Sequence, residues 1–96
     1  MSPLNKKKLN SLRLKLDKLD NELLKLIKKR SNLVNEVLKV KIHKKEIIDQ
    51  KRINFILKKI KKKSIKTKID PKITNRIWKN MIWAFIDYEK RNFKKK

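Results

Sequence analysis

The chain has no cysteine and no glycine, and only two prolines, one histidine and one alanine in 96 residues. Without cysteine there can be no disulfide, thiolate metal site or thiol nucleophile. A single histidine leaves no His-based metal cluster and no Ser–His pair with any redundancy, so no metal site is expected. No apolar run approaches the ~20 residues of a membrane span. The basic start, Met1–Lys8, has no apolar segment behind it, so neither membrane insertion nor export is expected and the expected location is the cytoplasm. Acids are also scarce, nine Asp and Glu against 31 Lys and Arg, which leaves a formal net charge of +22. Such a charge invites a nucleic-acid or anionic-surface binder. That inference is weakened by the makeup of the excess: five are Arg and 26 (31 − 5) are Lys, in a chain also rich in Ile and Asn. The bias reads as an AT-rich coding background that writes Lys wherever a solvated charge is tolerated, and no nucleic-acid partner is expected. Against it each Arg stands out, because its rigid bidentate fork has no lysine equivalent.

What the chain does have is a long apolar seam. Leu9, Leu12, Leu16, Leu19, Leu23, Leu26, Leu33, Val37 and Val40 recur at alternating steps of three and four. This predicts a helix from about residue 3, opened by Ser2-Pro3, to about residue 42. A second helix is expected over about 49–63, with Asp49 as N-cap and Ile53, Ile56, Leu57 and Ile60 on one face. It fades in the Lys61–Lys63 run. A third is expected over about 70–92, opened by Asp70-Pro71 and carrying Ile73, Ile77, Trp78, Met81, Ile82, Phe85 and Ile86. His43–Ile48 and Ser64–Ile69 read as connections, and the lysine-rich tail after Phe93 as frayed.

The expected fold is therefore all-α, a single domain over 1–96 with three helices and a very long first one. Forty residues of helix span about 60 Å, while a compact domain of this length is roughly 30–35 Å across. The seam must be covered by another copy, and its period of 3.5 is that of helices packed side by side. An intertwined homodimer follows.

One member of the seam is wrong. Position 30, between Leu26 and Leu33, is an arginine. A guanidinium on a helix seam is costly unless an anion meets it, and the anion can belong to the protein or to a ligand. Lys41 lies eleven residues on, on nearly the same face and about 16 Å away along the axis. Arg13 is seventeen residues before Arg30, about 25 Å, so one small ligand could reach both only if Arg13 came from the other chain. The second helix offers Arg52 beside Asp49. The third offers Glu89, one turn after Phe85.

In this order, the pattern Leu12-Arg13…Leu19-Asp20…Leu23-Leu24…Arg30…Val34…Glu36-Val37…Lys41, then Ile48-Asp49…Arg52 and Asp70-Pro71, resembles the all-helical (AroQ-class) chorismate mutases. The match runs from Leu9 to about Glu89, and its specificity lies in the joint spacing of three Arg and one Lys. The resemblance implies a three-helix chain dimerised through its first helix, with two sites built from both chains. It implies a chorismate-to-prephenate isomerase of aromatic amino-acid biosynthesis, working without a cofactor. In that family Arg13 of one chain, with Arg30 and Arg52 of the other, would bind the substrate carboxylates. Lys41 would hydrogen-bond the ether oxygen, and the backbone at Asp49 would help hold the substrate hydroxyl. Glu89 stands where many bacterial members have Gln and fungal ones Glu, the second donor to the ether oxygen. Ile53 departs from the family, which usually has a Glu there to bind the substrate hydroxyl. Phe85 takes the place of a small Ser that contacts a carboxylate.

The residues also admit other readings. Taken singly, Arg30 reads as half of a structural ion pair, Lys41 as a solvated lysine and Arg52 as a surface residue; only their joint spacing favours a site. Within the same fold, an isochorismate-pyruvate lyase shares the cation pattern. From another class, a basic helical module would bind nucleic acid, with affinity falling steeply in salt. A catalytically dead relative serving as a binding partner is a further alternative.

Overall fold

The structure is a computed structural model describing residues 2–94. It is all-helical: α1 spans Pro3–Val40, a short 3₁₀ turn Lys44–Ile47, α2 Gln50–Lys66 and α3 Pro71–Asn92. No strand occurs among the described residues. Lys95 and Lys96, the end of the basic tail, lie outside them. The chain divides into two compact units, the first ending at Leu33 and the second beginning at Val34.

The first unit contains only α1. Ser2 Oγ accepts the Asn5 N–H at 3.2 Å, and Pro3 takes the first helical position, where a missing N–H costs nothing. No residue of α1 is buried. Its seam leucines Leu12, Leu16, Leu19, Leu23 and Leu26 remain 54–58% exposed, so the stripe has no cover inside its own unit. Arg30, in the same stripe, is half-buried.

The second unit has a small core. Ile47, Ile53, Ile82 and Ile86 are buried together, with Leu38, Ile56, Leu57 and Phe93 packed against them. α3 packs on α2 and on the 3₁₀ turn. Both later helices start on side-chain caps: Asp49 accepts the Arg52 N–H at 3.0 Å and Asp70 the Lys72 N–H at 2.9 Å, satisfying donors that would otherwise be orphaned. The α2–α3 corner is fastened by Ser64 and Thr74, both buried, whose hydroxyls lie 2.7 Å apart. Ser64 Oγ also lies 2.6 Å from the Ile60 carbonyl and donates to it.

Two helix ends differ from the sequence pattern. α1 stops at Val40 rather than near Ile42. α2 does not fade in Lys61–Lys63 but continues to Lys66, because lysine is a good helix former and these side chains are solvated. Backbone geometry ends α2, not charge. The Ile69 N–H donates to the Ser64 carbonyl at 2.8 Å and the Lys68 N–H to the Ile65 carbonyl at 3.2 Å, the Schellman pattern that usually needs glycine. Here Lys68 takes the left-handed conformation, at φ 59°. A Cβ in that conformation costs about 1 kcal/mol. Lys68→Gly should therefore raise stability by about 0.5–1 kcal/mol, read as a higher urea midpoint with an unchanged slope.

Candidate functional site

Lys41 is the first residue past α1, held by its N–H donating to the Leu38 carbonyl at 3.3 Å. From there its Nζ donates to Glu89 Oε2 at 2.7 Å, across 48 residues of sequence. The two side chains are only 16% and 9% exposed. A charge-assisted bond this short is among the strong ones. Burial makes each partner depend on the other, because removing one strands a charge out of water. Beside it on α3, the Tyr88 hydroxyl donates to Asn35 Oδ1 at 2.8 Å. α3 thus reaches the last turns of α1 through two adjacent residues.

Next to Lys41 lies an open cleft of about 470 Å³, lined by Lys41, Glu46, Ile48, Asp49, Gln50 and Lys51. Its volume is in the range of small-molecule sites, roughly 300–1,000 Å³. The cleft wall is shaped by local chemistry. In the 3₁₀ turn the His43 N–H donates to Glu46 Oε1 at 2.9 Å, and Asp49 turns the chain into α2 as its cap.

The residues singled out in the sequence are distributed as follows. Lys41 and Glu89 are joined, and Lys41 and Asp49 line one cleft. Arg52 shares its helix start with Asp49, yet it does not line that cleft; its guanidinium lies 5.5 Å from the centre of the exposed Phe55 ring, a cation–π contact. Phe85 is half-buried one turn before Glu89 on α3. Arg13, exposed, and Arg30 belong to the first unit. Ile53, where a carboxylate would be informative, is a core residue. Asn35, Tyr88 and Glu46 were not legible as site neighbours. The one available signal was the adjacency of Tyr88 to Glu89.

Chemically, the pair offers an ammonium donor and a carboxyl group in a water-poor setting. With the carboxyl protonated, two donors could converge on one oxygen. No group of three or more His, Cys, Asp or Glu able to hold a metal occurs among the described residues, and no helix among them is long and apolar enough to cross a membrane.

The model of one protein family, chorismate mutase type II, matches residues 12–90. No curated protein and no solved structure matches the chain significantly.

The buried pair makes two substitutions unequal. Lys41→Met leaves the Glu89 carboxylate without its cation and should cost about 3 kcal/mol. Glu89→Gln keeps an oxygen that accepts from Nζ and should cost only about 1 kcal/mol. Urea unfolding at fixed protein concentration measures both; equal losses would mean that the pair contributes nothing specific.

Proposed function

Because the chain belongs to the chorismate mutase type II family, we propose that it catalyses the rearrangement of chorismate to prephenate. Within that family, the observation that carries the reading is the buried Lys41–Glu89 contact. The reaction is an intramolecular Claisen rearrangement: the ether C–O bond breaks while a C–C bond forms, and electrons move around a six-membered ring without a nucleophile. What a protein can supply is a held, folded conformer and stabilisation of negative charge growing on the ether oxygen. In the proposed complex Lys41 turns from Glu89 to that oxygen. Glu89, protonated, becomes the second donor. Arg30 and Arg52 grip the carboxylates in bidentate fashion, Arg52 leaving the Phe55 ring to do so. The backbone at Asp49 holds the hydroxyl, and Phe85 closes the apolar side. No cofactor enters the mechanism.

The reading includes a homodimer, supported by the uncovered leucine stripe of α1. Burying the exposed half of each of these leucines is worth roughly 1 kcal/mol, repeated along two helices. Arg13 then completes the site of the partner. A second reading, isochorismate-pyruvate lyase, is favoured by the burial of Ile53, which removes the hydroxyl acceptor usual in mutases. Supplying each substrate separates them: prephenate forms from chorismate in the first case, salicylate and pyruvate from isochorismate in the second.

Three outcomes are expected. Glu89→Ala, which leaves no second donor, lowers kcat for chorismate at least about tenfold more than Glu89→Gln, which keeps an N–H donor; equal losses would contradict the donor role. In sedimentation the protein runs at twice the 11.7 kDa chain mass, and Leu19→Glu with Leu23→Glu shifts it to the monomer. Finally, Arg13→Ala and Arg30→Ala are each inactive alone. After subunit exchange in equal amounts they recover about a quarter of wild-type turnover, since half the dimers then carry one intact site of two. No recovery would place Arg13 and Arg30 in the same subunit's site, or Arg13 in none.

A further inference from the structure

We infer that Tyr88, through Asn35, is a positioning residue that keeps Lys41 and Glu89 in register when a ligand parts them. The inference rests on the proposed mutase reading for what the ligand does, and on two observed contacts for the rest. α3 lies close to α2 and to the 3₁₀ turn. Two side-chain links to the end of α1 and the residue just past it matter here. One is the ionic contact of Lys41 with Glu89 at 2.7 Å, and the other is the Tyr88 hydroxyl on Asn35 Oδ1 at 2.8 Å. Leu38, between Asn35 and Lys41, packs against the buried isoleucines.

The two polar links differ in what an anionic ligand does to them. In the proposed complex Lys41 turns from Glu89 to a ligand oxygen, so the ionic link is weakened on binding. The Tyr88–Asn35 bond is between neutral groups, carries no charge for a carboxylate to compete with, and is half-buried on both sides. It survives. Asn35 and Lys41 are six residues apart, about 9 Å along a helix. The anchor at Asn35, together with Leu38, therefore holds the height and the rotation of the segment that leads into Lys41. Tyr88 and Glu89 are adjacent, so the anchor and the carboxyl share one backbone segment of α3. Without the phenol hydroxyl, Lys41 and Glu89 would separate on binding and lose the geometry in which both donors meet one oxygen. Placement errors of this kind act on turnover more than on affinity.

The test uses the full chain. Tyr88→Phe removes only the hydroxyl and should lower kcat for chorismate about five- to tenfold while leaving KM within about twofold. Asn35→Leu should do the same, and the double variant should be no worse than either, since both break one bond. Asn35→Asp keeps an acceptor for the phenol and should stay within about twofold of wild type. Wild-type turnover by Tyr88→Phe, additive losses in the double variant, or an Asn35→Asp as poor as Asn35→Leu would overturn the inference. Should the wild-type protein not convert chorismate, the functional reading fails and the anchor is judged in the ligand-free protein. There, Glu89→Ala removes the ionic link, and Tyr88→Phe should cost more stability in that background than in the wild type, read by urea unfolding at fixed protein concentration; equal losses in the two backgrounds overturn the inference on their own.

Discussion

The constraint on which everything else depends is the uncovered leucine stripe of α1. A helix of 38 residues holds many of the chain's apolar side chains and buries none of them. The second unit compensates little, since its buried core is four isoleucines. For a chain of this size the surface removed from water is marginal at best. Exposed apolar stripes of this length do not persist in water without a cover. In the proposed homodimer a second copy would supply one by symmetry, because a stripe of period 3.5 is complementary to itself. In the proposed assembly, covering the stripe and completing the site are one event, since Arg13 and Arg30 ride on the same helix as the leucines.

Charge has a different logic. With 31 cations and nine acids, most cations have no internal acid to meet and are simply solvated. Lys41 is not. Among the described residues it is the one lysine that is not exposed, and it takes the buried carboxylate of Glu89 as its partner. Another ion pair, Lys39 with Glu36, lies on the surface of α1 within one turn and is worth a few tenths of a kcal/mol. Burial, not charge count, separates Lys41 from the background.

How much of this could be read in advance depended on how local the cause was. The leucine period, the Asp49 cap and Asp70-Pro71 are short-range signals, and they placed three helices. The end of α2 was misread because the Lys61–Lys63 run looked like a breaker, whereas the stop is a left-handed Lys68 that no glycine announced. In the site, Lys41, Arg30 and Glu89 stood out singly by spacing. Their partners did not, because Lys41–Glu89 and Tyr88–Asn35 join residues about fifty positions apart. Arg52 stacking on Phe55 was likewise hidden; sequence placed the residue at a helix start but not its guanidinium. Ile53, read both as part of the apolar face of the second helix and as a departure from the family's usual Glu, is one of the four buried isoleucines of the core.

The Lys41–Glu89 contact also bears on what the empty protein ignores. An ammonium already neutralised at 2.7 Å by an internal carboxylate gains nothing from acetate, chloride or a stray phosphate, which offer no more than Glu89 does and must first displace it. Only a guest whose other groups are gripped elsewhere brings enough binding energy to prise the two apart. Under the proposed function, in a chain this cationic, the internal carboxylate would act as a resident competitor that keeps the lysine in reserve.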